Sequence, residues 1–225
     1  MVKMKGMRFP KELILVCIRW YAAYALSYRN HEEMMQERGV SVDHSTISRW
    51  AIRFLPLLEK IFRKHKRPVG GSWRMDETYS KVRGQWKYLY RAVDKAGNTI
   101  DFLLRAKRDT AAATRFFEKV MRANGDPEKV TIDKSGAHKA AIDGINQGRD
   151  VPIEVRQIKY LNNIVEYDHQ AVKRITKPMM GFKSLRAASK VLAGIELMHM
   201  IRKSQMIVTK GEELSFAEQF YALAG

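Results

Sequence analysis

The chain has 225 residues, with 41 lysines and arginines against 24 aspartates and glutamates, so its formal net charge is +17 at pH 7. Hydrophobic residues make up 45% of the sequence, a share too large for a disordered polybasic tail. These values predict a folded basic protein with a polyanionic partner, and nucleic acid fits better than a membrane surface. No apolar run approaches the roughly 20 residues of a membrane span, and we expect a cytoplasmic, nucleoid-associated protein.

The cysteine and histidine content limits the metal chemistry of the chain. Cys17 is the single cysteine, which excludes an intrachain disulfide, and the histidines lack the spacing of a zinc finger. Cys17 lies in an apolar run, where a small buried hydrophobe is expected. We therefore expect any bound metal ion to be held by oxygen atoms.

Charge and composition divide the chain into three parts. Residues 1–68 are predicted to form an all-α helix-turn-helix DNA-binding domain that ends in a basic linker. Residues 69–205 are predicted to form the catalytic domain, because residues 69–159 alone contain 12 of the 24 carboxylates. Residues 206–225 form a tail that is apolar enough to pack on its own domain or on a second subunit.

The N-terminal part has the pattern of three helices. Apolar residues recur every three or four positions in residues 10–25, and a second helix spans residues 30–38 and ends at Gly39, a residue suited to a left-handed helix exit. A polar-faced helix follows after Ser41, which is the pattern of a helix-turn-helix. The residues predicted to read base edges in the major groove are His44, Ser45, Ser48 and Arg49. The alternative is a generic helical hairpin with a solvated polar face.

The next part changes from helical to extended patterning. Three strands form a meander, and then helices and strands alternate. The order is that of the ribonuclease H-like fold, an α/β fold with a mixed five-stranded sheet and flanking helices. The predicted strands are residues 73–81, 86–93, 99–105, 129–132 and 155–160, and the predicted helices are residues 109–124 and 135–147, with a further helix from residue 162.

Three carboxylates fall where this fold can hold divalent metal ions. Asp76 lies in the first strand, Asp133 follows the fourth, and Glu166 lies in the helix after the fifth. Magnesium prefers such oxygen ligands, and two ions can clamp the attacking and leaving oxygens of a phosphodiester. Taken singly, each is also an ordinary strand-end, cap or helix acid, and Glu77 is a rival ligand to Asp76.

The helical period separates the acids of the last helix. Glu166, His169 and Lys173 share one face at 100° per residue, whereas Asp168 points about 200° away from Glu166. Glu166 is therefore the better third ligand, and we interpret Asp168 as a surface acid. His169 is as consistent with a positioned polar residue as with a contact to DNA.

Several motifs resemble those of bacterial insertion-sequence transposases. They are Met75-Asp76-Glu77-Thr78-Tyr79, Lys87-Tyr88-Leu89-Tyr90-Arg91-Ala92-Val93-Asp94 and Thr131-Ile132-Asp133-Lys134-Ser135. The stretch from Lys159 to His169, with Gly181-Phe182-Lys183-Ser184 and residues 192–203, is similar to the insertion sequence family six. Residue by residue, the resemblance makes Asp76, Asp133 and Glu166 the catalytic, metal-binding triad and Lys173 its accompanying base. Tyr167 departs from the pattern, which more often has glutamine there.

The resemblance implies a DDE transposase that binds terminal inverted repeats and target DNA, both double-stranded. It implies two Mg²⁺ or Mn²⁺ ions, hydrolytic nicking, and attack of the freed 3′-hydroxyl on the target, with a replicative or cointegrate outcome. We interpret the basic face after the triad as a DNA track, and a homodimer or higher oligomer is mechanistically reasonable. Two alternatives remain: an inert helix-turn-helix regulator, and a nuclease without strand transfer. The DNA-track residues are Lys173, Arg174, Lys177 and Lys183.

Overall fold

The chain folds into two units, residues 68–171 and residues 1–67 together with 172–225. The computed structural model describes residues 2, 4, 6–133, 136–158, 163–208 and 213–225. The first boundary lies close to the predicted linker. The second unit differs from the predicted segmentation, since residues 172–205 group with the N-terminal helices and not with the sheet.

Unit 68–171 contains a five-stranded mixed sheet in the order β3-β2-β1-β4-β5, the strand order of the ribonuclease H-like fold. Strands β1, β2 and β3 form an antiparallel meander, and β4 and β5 run parallel to β1. The predicted α/β fold with flanking helices is confirmed. The elements are β1 (Ser72–Val82), β2 (Gln85–Asp94), β3 (Thr99–Arg105), α4 (Thr110–Asn124), β4 (Lys129–Thr131), α5 (Gly136–Asn146) and β5 (Glu154–Arg156).

Helices α4 and α5 cover one face of this sheet. Alternate residues of β1, Trp73 and Met75, point to that face and are fully buried with Phe116 of α4 and Ile142 of α5. Every second side chain of a strand points to the same face, and this alternation at Trp73 and Met75 is the pattern that predicted β1 from the sequence. Burial of such large apolar side chains is the main stabilising contribution of this layer.

The helical unit contains α1, α2 and α3, and the segment from residue 172 onward. Helix α6 begins in the sheet unit and ends in this one. Ser27 and Asp43 cap α2 and α3 by accepting hydrogen bonds from backbone N–H groups, as N-cap residues do. The elements are α1 (Lys11–Ala23), α2 (Tyr28–Gln36), α3 (His44–Phe62), α6 (Asn163–Thr176), a 3₁₀ turn (Lys177–Met179), α7 (Leu185–Arg202) and α8 (Phe216–Ala222).

Helix α7 is the reason that residues after 172 join the N-terminal helices. It packs against α1 and α3, and it is buried on almost every side. Gly194 of α7 allows α3 to approach closely, because a Cβ there would lie 2.5 Å from Cδ1 of Leu55. The buried part of α7, residues 191–201, needs neighbours on several sides, and α1, α3 and α8 supply them.

The C-terminal tail packs on its own chain. Phe220 of α8 is fully buried, the Lys11 ammonium donates to the Ala224 carbonyl at 2.6 Å, and Arg19 donates to the Tyr221 hydroxyl at 2.9 Å. Of the two predicted roles for residues 206–225, the structure shows packing within the helical unit.

The described elements agree closely with the predicted ones, with one shortened strand. The fifth strand spans Glu154–Arg156, whereas residues 155–160 were predicted. Residues 134–135, 159–162 and 209–212 lie outside the described residues, and they include the predicted starts of two helices. Over the described parts of the chain, no helix combines the length and the apolar character that crossing a membrane requires.

Candidate active site

Asp76 and Asp133 are brought to the same edge of the sheet by parallel strand pairing. Arg74 of β1 is paired with Thr131 of β4, and each aspartate lies two residues further along its strand direction. Paired residues of parallel strands lie at the same level, so Asp133, just after the end of β4, comes close to Asp76 in the middle of β1. The parallel register of β1 and β4 thus explains how Asp76 and Asp133, which are 57 positions apart in the sequence, can act on the same site.

The electrostatics of this edge disfavour the charged form of Asp76. The pKa of Asp76 is raised to about 7, mainly by burial and also by the neighbouring charges of Glu77 and Asp133, while a hydrogen bond to the Glu77 backbone and the charge of His138 lower it. Burial of a carboxylate without a compensating cation disfavours its ionised state. A divalent cation at this edge would reverse both effects, because it favours the ionised carboxylates.

Glu77 points to the opposite face of β1 from Asp76, since successive side chains of a strand alternate. Its side chain is buried, forms an ion pair with the Arg108 guanidinium, and places Oε2 3.2 Å from Nε2 of His138. Burial raises the pKa of Glu77, and the charges of His138 and Arg108 lower it. Because Glu77 already has these two partners, Asp76 is the better placed metal ligand of the two.

His138 connects Glu77 to Asp133. Its Nδ1 lies 3.3 Å from Oδ1 of Asp133, and the ring is buried edge-on against Tyr90 and Phe117 at centroid distances of 5.7 and 6.4 Å. Arg108 adds a second contact, with Nη2 3.5 Å from Oδ2 of Asp133. The Asp133 side chain is thus oriented from two directions.

Helix α6 contacts the other face of the sheet through two buried residues. Asp168 is only 8% exposed, and its Oδ2 lies 2.7 Å from Nη2 of Arg91, which is fully buried. Nδ1 of His169 lies 3.8 Å from Oδ2 of Asp76. The interpretation of Asp168 as a surface acid is wrong, because the side of α6 that packs on the sheet contains both Asp168 and His169, although helical spacing grouped His169 with Glu166.

Glu166 lies in the first turns of α6 and is exposed. Among the described residues, the ligand atoms of Asp76, Asp133 and Glu166 do not all lie within 4.8 Å of one another. Of the predicted triad, Asp133 lies near enough to Asp76 to affect its charge, and the contact that α6 makes with Asp76 comes from His169. In the described part of the chain, the one group of three that meets this spacing is Glu32, Asp43 and His44, at the surface of the helical unit.

The donor set at the sheet edge fits a hard divalent cation. Asp76 and Asp133 supply carboxylate oxygens, which are the ligands that Mg²⁺ and Mn²⁺ prefer. Asp76 is largely buried, and the charges of Asp133 and Glu77 disfavour its ionised form, so a cation held by Asp76 and Asp133 would offset this repulsion.

The residues predicted to read DNA lie together at the start of α3. Nδ1 of His44 lies 2.8 Å from Oε2 of Glu32, Ser45 contacts its neighbour Asp43, and Ser48 is hydrogen-bonded to Tyr28. Arg49 is exposed and donates to Oγ1 of Thr46 at 2.7 Å. The connection between α2 and α3 has seven residues, longer than the three or four typical of a helix-turn-helix. Gly39 in this connection has a φ of +71°, as its position predicted.

The predicted DNA-track residues lie in the helical unit. Lys173 and Arg174 are in the last turn of α6, Lys177 opens the 3₁₀ turn, and Lys183 comes after it. All four are exposed. Their contact with DNA remains a prediction.

The sequence did not single out Arg108, His138 or Arg91. His138 lies in the first turn of α5, five residues after Asp133. This spacing places its side chain next to the end of β4, where Asp133 lies. Arg91 stands directly opposite Asp76 in the β1–β2 register, and this pairing could have been found from the hairpin pattern. Arg108 lies in the loop after β3, and no local signal identifies it.

The chain matches the family model described as a DDE domain over residues 70–205. It is 37% identical over 198 residues to the Staphylococcus aureus transposase for the insertion sequence-like element IS431mec, covering 87% of each chain. The same identity and coverage hold for the S. aureus transposase of the insertion sequence element IS257. An uncharacterised Yersinia pseudotuberculosis protein is 36% identical over 83 residues, which cover 35% of this chain and 78% of that protein.

Solved structures with similarity to the chain include retroviral integrases. The simian T-cell lymphotropic virus intasome chain has a TM-score of 0.45 and 14% identity, covering 66% of this chain and 58% of its own. The HTLV-2 integrase catalytic core domain in complex with magnesium has a TM-score of 0.43 and 13% identity, covering 59% of this chain and 86% of its own.

Proposed function

The chain belongs to the insertion sequence family six of DDE transposases, and from this premise we propose that Asp76, Asp133 and Glu166 are its catalytic, metal-binding residues. The protein is a DNA transposase, a polynucleotidyl transferase of the DDE type. Its reaction is nicking at the element end followed by attack of the freed 3′-hydroxyl on a target phosphodiester. In-line displacement of this kind depends on positioning and on neutralisation of charge.

The observation that carries this proposal is the parallel register of β1 and β4, which brings Asp133, just after β4, to the level of Asp76 in the middle of β1. Asp76 and Asp133 would hold a divalent cation, Mg²⁺ or Mn²⁺, and two such ions are expected with Glu166 as the third ligand. When bound, the ions supply Lewis-acid stabilisation of the phosphoryl oxygens and of the leaving group. His138 and Arg108 hold the Asp133 carboxylate in place, and His169 faces Asp76.

DNA recognition is assigned to the basic surface of the helical unit. His44, Ser45, Ser48 and Arg49 would contact the terminal inverted repeats, while Lys173, Arg174, Lys177 and Lys183 would contact phosphates near the reacting strand. The net charge of +17 favours such phosphate contacts. Joining two element ends requires two active sites, so we propose a homodimer or a higher oligomer acting in the nucleoid.

A strand-transfer assay tests the function. Purified protein is incubated with a labelled terminal-repeat duplex and a supercoiled target, in Mg²⁺ or Mn²⁺, beside Asp133→Asn, Glu166→Gln and the control Asp143→Asn. Asp143 is exposed and forms an ion pair with Lys139 of its own helix. We expect joined products with the wild type and the control, and a loss of at least about a hundredfold with the two site variants.

The other outcomes assign the alternative functions. Repeat binding without nicking in either metal would identify an inert DNA-binding regulator. Nicking without joined products would identify a nuclease. Unchanged joining by Glu166→Gln would remove Glu166 from the triad while leaving Asp76 and Asp133 in place.

A further inference from the structure

The β1–β2 hairpin extends past the rest of the sheet. Strands β1 and β2 stay paired from Trp73↔Asp94 to Val82↔Gln85, whereas β3 pairs with β2 only as far as Tyr88 and β4 pairs with β1 only as far as Arg74. Within the described strands, residues 80–87 therefore form a two-stranded ribbon without a third strand. Arg83 and Gly84 at the turn both have positive φ, +50° and +77°, which is the conformation of a tight type I′ turn.

One face of this ribbon is an exposed stripe of aromatic and basic side chains. Tyr79 and Tyr88 stand opposite each other with ring centroids 5.5 Å apart, and Lys81 stands opposite Trp86 with Nζ 5.8 Å from the indole centroid. Tyr79 is 46% exposed and Trp86 is 62% exposed. The opposite face, with Ser80 and Val82, is buried. We define Tyr79, Lys81, Arg83, Trp86 and Tyr88 as the hairpin stripe.

The stripe continues the row of side chains that begins at the candidate active site. Glu77, Tyr79 and Lys81 alternate along the same face of β1. Helices α4 and α5 cover this face at Trp73 and Met75, but Tyr79 and Lys81 are exposed. Tyr88 at the base of the stripe packs partly against the core, whereas the exposed rings of Tyr79 and Trp86 with Lys81 between them indicate a contact surface.

The charge of the hairpin selects the kind of partner. Residues 79–88 contain three basic residues, Lys81, Arg83 and Lys87, and no acidic residue. A second copy of a chain with a net charge of +17 would repel this surface, whereas a phosphate backbone would attract it. Aromatic faces between lysines and arginines are the combination that binds DNA, through stacking or wedging against bases and through ion pairs with phosphates.

We propose that the hairpin stripe is a DNA-binding finger, which rests on the function proposed above. Lys81 and Arg83 contact phosphates, and the exposed indole of Trp86 contacts a base or sugar in a groove. Arg83 lies seven residues beyond Asp76 along β1, a reach of about 23 Å at roughly 3.3 Å per residue. The finger therefore contacts duplex DNA about six to seven base pairs from the phosphate that reacts at the Asp76–Asp133 edge, at about 3.4 Å per base pair.

Equilibrium binding of a labelled duplex, measured by fluorescence anisotropy over a series of salt concentrations, tests this proposal. Lys81→Gln combined with Arg83→Asn removes two charges and keeps the turn, because Asn-Gly is a preferred type I′ pair. We expect about tenfold weaker binding and a salt dependence reduced by about two phosphate contacts. Trp86→Ala should weaken binding about tenfold, and Trp86→Phe should restore most of it, since a ring still stacks. Terminal-repeat and random duplexes are compared to show which DNA the finger contacts.

Lys95→Gln is the matched control, because Lys95 is exposed at the opposite end of strand β2. The Lys95→Gln variant should bind the labelled duplex with the same affinity as the wild-type protein. The proposal is overturned if the hairpin variants bind both duplexes as tightly as the Lys95→Gln control does. It is also overturned if Trp86→Ala changes only the sedimentation mass, which would identify a contact between copies. Binding is measured without metal, so failure here leaves the assignment of Asp76 and Asp133 untouched, and circular dichroism confirms that each variant is folded.

Discussion

Asp168 and Arg91 form a buried ion pair that joins helix α6 to the centre of the sheet, with Oδ2 2.7 Å from Nη2. Arg91 stands opposite Asp76 in the β1–β2 register, and His169, the next residue after Asp168, faces Asp76 itself. The pair therefore fixes α6 against β2, directly beside the position of Asp76 on β1. Its loss should affect both the stability of the sheet unit and the placement of His169.

Replacing Asp168 with alanine leaves the Arg91 guanidinium buried without this carboxylate. Breaking a buried pair from one side costs about 3–5 kcal/mol of unfolding free energy. The control is Asp143→Ala, which removes an exposed pair with Lys139 and should cost about 0.5 kcal/mol or less. Urea denaturation measures the unfolding free energy of both variants. Equal losses of unfolding free energy would show that the Arg91–Asp168 pair stabilises the protein no more than an exposed ion pair does.

Glu77 and Asp76 are adjacent, but they should respond differently to loss of charge. Asp76→Asn removes a proposed ligand, so Mn²⁺ affinity measured by electron paramagnetic resonance should fall by at least about tenfold. Glu77→Gln disturbs the contacts with Arg108 and His138, so it should cost about 1–3 kcal/mol of stability and retain most of the Mn²⁺ affinity. If the two metal affinities fall in the opposite order, Glu77 is the ligand.

The raised pKa of Asp76 makes stability depend on pH when no metal is present. Its pKa is about 7 in the folded protein against an ordinary value of 3.8, so between these values the folded state holds a proton that the unfolded state has released. The unfolding free energy should therefore fall as pH rises from about 4 to 7. One pKa unit corresponds to about 1.4 kcal/mol, and we expect a loss of about 1–3 kcal/mol between pH 5 and pH 8, since the side chain is partly exposed.

Asp76→Asn should lack this loss, because asparagine does not titrate. Asp150→Asn, at an exposed position, should instead behave like the wild type. Urea denaturation in the presence of a chelator at pH 5 and pH 8 measures the three proteins. Parallel curves for wild type and Asp76→Asn would contradict the raised pKa.

Gly194 should be intolerant of substitution, because a Cβ there would lie 2.5 Å from Cδ1 and 2.8 Å from Cβ of Leu55. Gly194→Ala should destabilise the helical unit by about 1–3 kcal/mol through overpacking of α3 against α7. Gly144→Ala in α5 is the matched control. A Cβ at Gly144 meets nothing within 4 Å, and alanine favours a helix by about 0.5–1 kcal/mol. The midpoint temperature of thermal unfolding should fall for Gly194→Ala and rise for Gly144→Ala.

Local periodicity and spacing made part of the fold predictable from the sequence. Alternation identified β1, aromatic content identified β2, and the turn after β2 identified β3 as the returning strand. The apolar residues before Asp133 placed this acid at a strand end. Contacts between distant segments could not be predicted in this way. Asp168 meets Arg91, which lies 77 positions earlier, and helical spacing alone shows only that Asp168 and Glu166 lie on different faces.

The same limit applies to the division of the chain. Gly194 contacts Leu55 across 139 positions, and no local pattern shows this contact. Residues 172–205 therefore group with the helical unit in the structure, although the DDE-domain match ends at residue 205. The pairing of His44 with Glu32 likewise depends on how α2 and α3 meet. Charge and motifs identified residues that could contact DNA or metal, and only the fold shows which of these side chains already contact another residue of the chain.

Iron-mediated cleavage of the protein backbone tests most directly whether the metal binds at the Asp76–Asp133 edge. Fe²⁺ replaces Mg²⁺, and ascorbate with peroxide then generates radicals that cut the chain close to the bound ion. We predict cuts near residues 76 and 133 that disappear in excess Mg²⁺ and in the Asp76→Asn, Asp133→Asn double variant. Cuts confined to residues 32–44, where Glu32, Asp43 and His44 lie together, would contradict this assignment of the catalytic centre.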